Sequence, residues 1–535
     1  MVVTLTVESA NEPLDGSPQR ASTALARRVV QAMLAGELPM GAMLPAEADL
    51  ARQHGVGRST VREALRLLEV WGAVEVRQGR TGGAMTRRPD AKAVGEALWI
   101  VMQFDQVSLA ELLDTRRIFD LMLARAAAED MTNEDVLDLA EATRGLTDHV
   151  GDVEQYGVFN DRFHQVLVAA CGNRALRVLV EATSSLTTDL IYELGDRTEW
   201  RRRSVELRQG VFRAIAGGRA DDAERAMARY RDEMSAWWVA HCPEAMYRPI
   251  DVLRDDRPIA PVAPPPRVAG SRTPVRAGER PVTKASTRVA RAITRQLLGG
   301  QLREGDVLPP ETELAQRHNV GRSTLREALH LLEVWGVVEI RDGRTAGAQL
   351  RRPDAKAAGR ALAIVVRFDH VTLAELFHTR TIFDVMTARL AAEHMTADGV
   401  LGLAETIRSL GDHVDDHELY FAFNDQFFRI LLAASGNRAL RALLDAIKSI
   451  TVDVMYAMGN PLEWRGQSVT LRTAVFRAIA AGDPDETERQ MRNYRDAMFG
   501  WWSERFPEEM ASPMAIFRGR LAAPTARDLP RLLGR

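Results

Sequence analysis

A chain that spells one long pattern twice must build one fold twice. Residues 56–81 read VGRSTVREALRLLEVWGAVEVRQGRT, and residues 320–345 read VGRSTLREALHLLEVWGVVEIRDGRT. Twenty-one of these 26 positions are identical. The same offset of 264 residues aligns Trp71 with Trp335, Asn160 with Asn424, Arg208 with Arg472 and Trp237 with Trp501, without a gap. The 535-residue chain is therefore a tandem duplication of one multi-domain unit.

Each copy opens on short helical patterns. From Ala21, the residues Leu25, Val29, Val30, Met33 and Leu34 fall on one helix face, and Gly36 stands where a C-terminal stop belongs. Leu44–Val56 predicts a second helix, bounded by Pro45 and Gly55. Arg58–Trp71 predicts a third, burying Val61, Leu65, Leu68 and Trp71 and ending at Gly72. Ala73–Arg77 then alternates as a strand, Gln78–Gly83 turns, and a second strand returns through Met85. Three helices and a β-hairpin predict a winged helix-turn-helix.

From Asp90 to His241 the pattern is helical throughout. Seven amphipathic segments follow one another: Ala91–Phe104, Ser108–Asp130, Asn133–His149, Val153–Ala170, Arg174–Glu193, Glu199–Ala216 and Ala220–His241. Thr132 and Asp135 have the spacing of a capping box. Seven helices predict an all-α bundle, large enough to enclose a pocket. The chain thus reads as mainly α, with an N-terminal arm (1–19), a winged helix-turn-helix (20–90), an all-α domain (91–242), a Pro-rich linker (243–283), a second winged helix-turn-helix (284–354), a second all-α domain (355–511) and a C-terminal tail (512–535). A coil of about 40 residues has a root-mean-square span of roughly 35 Å, so the linker lets the halves reach each other.

Charge is divided unevenly. Residues 20–92 carry 12 Lys/Arg against 7 Asp/Glu, and residues 284–356 carry 13 against 9. Residues 93–242 carry 17 against 26. A basic head on an acidic body suits contact with nucleic acid by the head alone, although ordinary solvated surface has the same signature. The cysteines Cys171 and Cys242 face Ser435 and Phe506 in the second copy, so neither a disulfide framework nor a cysteine metal site is expected. The longest apolar run, near Ala97–Phe104, is too short to span a bilayer. A soluble, cytoplasmic protein without membrane contact is expected. There is no HExxH, no P-loop and no GxSxG, and neither all-α domain has the Glu-x-x-His pattern on each of two helices that a helical diiron site needs, so an enzyme is not expected.

The string LPAEADLARQHGVGRSTVREAL followed by GAVEVRQGR resembles the winged-helix head of GntR-family bacterial regulators. The helical continuation, with its segment at Asn160–Asn173, resembles the FadR-type (FCD) effector domain of that family. The likeness covers both copies, leaving out tails and linker. It implies double-stranded operator DNA as partner and no catalysis. A helix fits the major groove with its N-terminal residues aimed at base edges. Arg58 and Arg62 can donate to guanine or phosphate, and Ser59 and Thr60 can bond phosphate or cap the helix. Arg322, Ser323, Thr324 and Arg326 repeat the set. In the wings, Gly79 with Arg80, and Gly343 with Arg344, would reach the DNA backbone or minor groove, or serve only as solvated loop charges. Glu63 and Glu327 read as salt-bridge partners on the helix.

Two departures imply an altered operator read unequally by the two heads. Ala48 and Thr312 replace the family's usual Arg in the second helix, and Gln78 and Asp342 stand before the wing glycine. In the effector domain, the positions that hold a metal in many relatives fall on Asn160, His164, Arg208 and Tyr230, and on Asn424, Phe428, Arg472 and Tyr494. Guanidinium has no lone pair to offer a metal, so no metal or other cofactor is expected there. Arg208 and Arg472 could instead clamp an anionic effector, a small organic acid or a fatty-acyl ligand. Arg116 with Asp120, and Arg380 with Asp384, would line the same cavity or form an internal ion network. Relatives pair as homodimers. Here the two halves can pair within one chain, with a homodimer of tandem chains the alternative and bundles that only dimerise, without ligand, a further one.

Overall fold

The computed structural model describes residues 18–77, 83–193, 198–250, 285–298, 302–341, 347–353, 356–457, 462–513 and 529–532. The first copy begins with α1 (Pro18–Leu34), α2 (Glu47–His54), α3 (Arg58–Val70), β1 (Val74–Arg77) and β2 (Gly83–Thr86). Then come α4 (Ala91–Phe104), α5 (Leu109–Asp130), α6 (Asn133–Asp148), α7 (Val153–Ala170), α8 (Arg174–Glu193), α9 (Thr198–Ala216), α10 (Ala220–His241) and α11 (Pro243–Tyr247). The second copy repeats the order with α12 (Ala285–Leu298), α13 (Glu311–Arg317), α14 (Arg322–Val334), β3 (Val338–Arg341) and β4 (Gly347–Leu350). It continues through α15 (Lys356–Phe368), α16 (Leu373–His394), α17 (Ala397–Asp412), α18 (His417–Ala434), α19 (Arg438–Ala457), α20 (Leu462–Ala480), α21 (Pro484–Arg505) and α22 (Pro507–Ala511), and α23 (Leu529–Leu532) follows. The mainly α reading with small two-stranded wings holds in both copies.

Local signals account for these limits. Gly55 ends α2 in the left-handed conformation, with φ of 64°. Its counterpart Asn319 takes φ of 50°, as the residue type that tolerates this region best after glycine. Ser108 and Glu111 close a capping box on α5, and Thr132 with Asp135 closes another on α6. The strands pair antiparallel, Val74 opposite Thr86 and Val338 opposite Leu350. The five-residue α11 was not anticipated from the sequence; Pro243 at its first position marks its start.

The chain divides into two compact units. One gathers both heads together with α4 and α15. The core of the first head contains Leu25, Val29, Leu50, Val61, Leu68 and Trp71, and it is completed by Ile364 and Phe368 of α15. The core of the second head contains Val289, Ile293, Leu314, Leu325, Leu332 and Trp335, with Ile100 of α4 buried in it and Phe104 packed alongside. Each head is thus covered by the helix that follows the other. Burying one such side chain contributes about 1.5–3 kcal/mol. Polar contacts follow the same exchange: Arg88 pairs with Asp369 at 2.6 Å and donates to the Phe368 carbonyl at 3.2 Å, and Arg352 donates to the Phe104 carbonyl at 3.4 Å. The sequence groups α4 with the bundle after it, but its apolar face meets α15 and the second head.

The other unit holds the helical bundles. Here the copies meet reciprocally. Glu111 accepts from the Arg438 backbone at 2.9 Å and from its guanidinium at 2.8 and 2.7 Å. Glu375 accepts from Arg174 in the same way, at 2.9, 2.9 and 2.8 Å. Asn437 donates to the Glu111 carbonyl at 3.0 Å, and Asn173 to the Glu375 carbonyl at 3.2 Å. Phe119 packs edge-on against its own counterpart Phe383, with centroids 5.2 Å apart. Among the described residues no helix is long and apolar enough to cross a membrane.

Half-burial alone would raise the Glu111 carboxyl, yet the Arg438 and Ser108 hydrogen bonds bring it down from 4.5 to about 2. A carboxyl lowered by folding stabilises the fold fully above its unfolded value, and the contribution disappears as pH falls through the folded one. Arg438→Ala should therefore cost about 1–2 kcal/mol at neutral pH, the lower part of the range for charged hydrogen bonds because Arg438 is partly solvated. Urea unfolding should also show that the variant loses less additional stability than the parent between pH 4.5 and 2.

Candidate functional site

Two arrangements carry chemistry, one on the heads and one inside the bundles. On the heads, the first turns of α3 and α14 are preceded by Gly57 and Gly321, and neither helix has a side-chain cap. Ser59, Thr60, Ser323 and Thr324 therefore do not cap these ends. Four backbone N–H groups at each helix start carry the positive end of the helix dipole. Arg58, Ser59 and Arg62 are exposed and Thr60 half-buried, and Arg322, Ser323, Arg326 and Thr324 repeat this. Arg62 is held at 2.7 Å by Glu47 of α2, and Arg326 at 2.7 Å by Glu311 of α13. Each bridge ties the anion-attracting helix to the one before it and fixes where the guanidinium points. An uncapped basic helix end of this kind can bind phosphate and offer its arginines to a groove.

Inside the first bundle, α5, α7, α9 and α10 bring ionisable residues together in the core. Arg208 donates to Asn160 Oδ1 at 2.6 Å and to the Tyr230 hydroxyl. Its guanidinium lies 4.8 Å from the Tyr230 ring centroid and 5.5 Å from that of Phe163. Asp120, fully buried, faces Arg116 at 3.5 Å and also pairs with Arg231. The second bundle repeats the set: Arg472 donates to Asn424, to Tyr494 at 2.7 Å and to Tyr420 at 3.3 Å. Asp384 receives Arg380 at 3.2 Å and Arg495 at 3.3 Å. Arg380 also donates to Thr451 at 2.8 Å. In each cluster two buried arginines pair with one buried carboxylate, and a third, Arg208 or Arg472, bonds the Asn and Tyr side chains.

Burial pushes Arg116 and Arg495 down to about 10, and lowers Arg231 well below its ordinary value, with Arg116 adding to the shift. All three keep their charge at neutral pH, since guanidinium does not deprotonate in proteins. His164 lies 3.9 Å from Asp120, but burial, then Arg116 and Arg208, drive its pKa well below 6.5. Its ring is therefore neutral near neutral pH. Phe428 occupies the same place in the second bundle and lies under Arg380, 5.1 Å from ring centroid to guanidinium carbon.

The profile described as bacterial regulatory proteins, gntR family, matches residues 21–81 and 285–347, and the FCD domain profile matches residues 111–233 and 375–497. The chain belongs to the gntR family. It is a transcription regulator of that family, with both domains duplicated in tandem. This gntR-family chain is similar to the HTH-type transcriptional repressor NanR of Edwardsiella tarda (strain FL6-60), 28% identical over 225 residues, covering 41% of this chain and 85% of the relative. The NanR repressor of Salmonella newport (strain SL254) is 27% identical over 225 residues, again 41% and 85%. Either relative thus matches about one copy. Among solved structures, Streptococcus agalactiae GntR is 24% identical and covers 40% of this chain and 99% of its own, with a TM-score of 0.32.

The bundle clusters do not fit the divalent metal that this family resemblance implies. Arg208 and Arg472 stand at ligand positions, and each directs its guanidinium at the Asn oxygen that would face the ion. A cation beside three arginines would also meet strong repulsion. A cleft of about 310 Å³ opens along α5 and α10, with Arg117, Arg231 and Asp232 in its wall. The wing residues Gly79, Arg80, Gly343 and Arg344 lie outside the described residues.

Sequence reasoning missed Arg231 and Arg495. The signal was present: Met227, Tyr230, Met234 and Trp238 mark the buried stripe of α10, and Arg231 falls within it. Both copies also keep the tripeptide Tyr-Arg-Asp there, at 230–232 and 494–496.

A histidine whose pKa falls on folding binds its proton more readily when unfolded, so the stability it permits above pH 6.5 is lost as pH falls below that value. His164→Phe, the residue of the second copy, should flatten the fall in melting temperature between pH 7.5 and 5. Equal slopes for parent and variant would mean that folding leaves the His164 pKa unshifted, and a shallower fall in the parent would mean that Asp120 holds the ring protonated.

Proposed function

We propose that this regulator acts as a repressor whose two copies form a built-in pseudo-dimer on a near-palindromic operator. DNA affinity is then modulated by a small organic acid or fatty-acyl ligand in the bundles. On this reading residues 20–90 and 284–354 are the DNA-reading heads, and residues 91–242 and 355–511 the effector and pairing domains. The linker 243–283 joins them, and the segments 1–19 and 512–535 flank the pair. Arg58, Ser59, Thr60 and Arg62, with Arg322, Ser323, Thr324 and Arg326, contact operator DNA, and the wing residues Gly79, Arg80, Gly343 and Arg344 add backbone contacts.

The pairing reading is supported by the reciprocal Glu111–Arg438 and Glu375–Arg174 contacts, which relate equivalent residues of the two copies as a two-fold interface does. Tethering raises the effective concentration of one half around the other to about the millimolar range. The NanR relatives carry repressor in their names, which favours repression here.

The observation that carries the effector reading is the third buried arginine of each cluster, Arg208 or Arg472, which bonds Asn and Tyr side chains while Asp120 or Asp384 takes the other two. An anionic head group would add a charged partner to that arginine's contacts. Asn160, Arg208 and Tyr230, and Asn424, Arg472 and Tyr494, would bind it. Arg116, Asp120 and His164, and Arg380 and Asp384, would shape the rest of the site. Ligand and operator would then oppose each other by the same factor, since coupling is reciprocal. The hydrogen bonds from Arg208 to Asn160 and Tyr230 favour a second reading, an internal network in bundles that only pair.

Gel shifts on the DNA upstream of the protein's own gene, with light scattering to count chains, test the first part. Selective binding by one chain per operator is expected, and two chains per operator would discard the self-paired form. Arg58→Ala combined with Arg322→Ala should lose selective binding while circular dichroism stays unchanged. Unaltered affinity in that variant would remove the helix ends from the DNA interface. Arg208→Ala with Arg472→Ala should retain operator binding and lose the response to organic and fatty acids. Failure of that variant to fold would favour the internal network.

A further inference from the structure

On the heads, α3 and α14 meet away from their exposed first turns. At the contact His330 of α14 is 4% exposed, and its Nδ1 lies 2.8 Å from Glu63 Oε1 of α3. The same nitrogen lies 3.5 Å from Oε2 of Glu333, one turn further along α14. One atom from each of these three side chains falls within 4.8 Å of the others, and among the described residues this is the only such group of imidazoles, thiols and carboxylates. Tetrahedral coordination with bonds of about 2.0–2.1 Å separates ligand atoms by about 3.3 Å, between the two distances found.

We propose that Glu63, His330 and Glu333 form a site for a divalent first-row transition metal that bridges the two heads. The donors suit the ion class: one imidazole and two carboxylates take zinc or manganese, and a fourth position is left for water. Two anionic ligands offset the charge of the ion. Glu63 is the most solvated of the three, with its side chain 27% exposed, and gives the ion a way in. The His-x-x-Glu spacing sets both α14 ligands on one face of that helix.

The duplication makes the site single. The residue equivalent to His330 is Arg66, which lies 3.9 Å from Glu63 on the far side of that carboxylate and offers no ligand atom. A homodimer of identical chains would carry each variant twice. A tandem chain lets the copies differ, with His330 in one and Arg66 in the other. Because Glu63 adjoins Arg62, a metal here would also fix the spacing of the two helix ends, a consequence that rests on the DNA-reading role proposed above.

The test is titration of the full chain with zinc alone, without DNA, followed by calorimetry and by metal analysis after gel filtration. One zinc per chain is expected, accompanied by a higher melting temperature. His330→Arg, which copies the residue of the first head and preserves a cation between the two carboxylates, should fold and lose this uptake. Glu63→Gln should weaken it. No zinc uptake by the parent chain, or undiminished uptake by His330→Arg, would overturn the proposal and leave the cluster an ion bridge between helices. Neither result depends on operator binding, so the regulator reading stands or falls separately.

Discussion

The paired copies depend on one carboxylate used for two purposes. Glu111 closes the capping box of α5, accepting from the Ser108 backbone at 2.8 Å and from its hydroxyl at 2.9 Å. The same carboxylate receives the backbone and guanidinium of Arg438, the first residue of α19. Glu375 does the same for Thr372 and Arg174. Each helix start on one copy is thereby tied to a helix start on the other. Such a carboxylate is half-removed from water, and five hydrogen bonds compensate its desolvation. Losing the arginine would leave the cap intact but strand a partly buried charge.

The heads solve a related problem by exchange. A three-helix head with a two-stranded wing is small, and its own helices leave apolar surface over α1 and α3 uncovered. Helix α15 supplies Ile364 and Phe368 to the first head, and α4 supplies Ile100 and Phe104 to the second. Loosening either helix would therefore be felt in the head of the opposite copy. Within this unit, the heads are coupled by shared cores as well as by the His330–Glu63 pair.

The bundle clusters show how duplication lets equal roles drift apart. The Asn, Arg and Tyr positions are the same in both copies, and so are the Arg–Asp pairs and the added arginine. Around them His164 is replaced by Phe428, whose ring lies beneath Arg380. Both copies hold guanidinium groups in the core by polar contact and by cation–π attraction together. Burying this much positive charge is unfavourable by itself, which makes the clusters the least explicable parts of the bundles on stability grounds alone.

Much of the fold was legible because it follows local rules. Several helix limits follow from Gly36, Gly55, the Thr132 cap and the spacing of apolar residues. The regulator head followed from a motif lying within a single stretch. Arg231 was missed although it sits on the apolar stripe of α10, because an arginine on such a stripe reads as an edge residue until its neighbours are known. The partners of Glu111 and Glu63 could not be read at all. Arg438 lies 327 residues from Glu111, and no periodicity carries information over that distance. From the chain alone it follows that one regulator unit is present twice and where most of its long helices lie, since caps and periodicity act within a few residues. Only the tertiary structure decided which helix covers which head, which carboxylate meets which arginine, and that one histidine faces two glutamates, since these follow from packing between segments that the chain order keeps far apart.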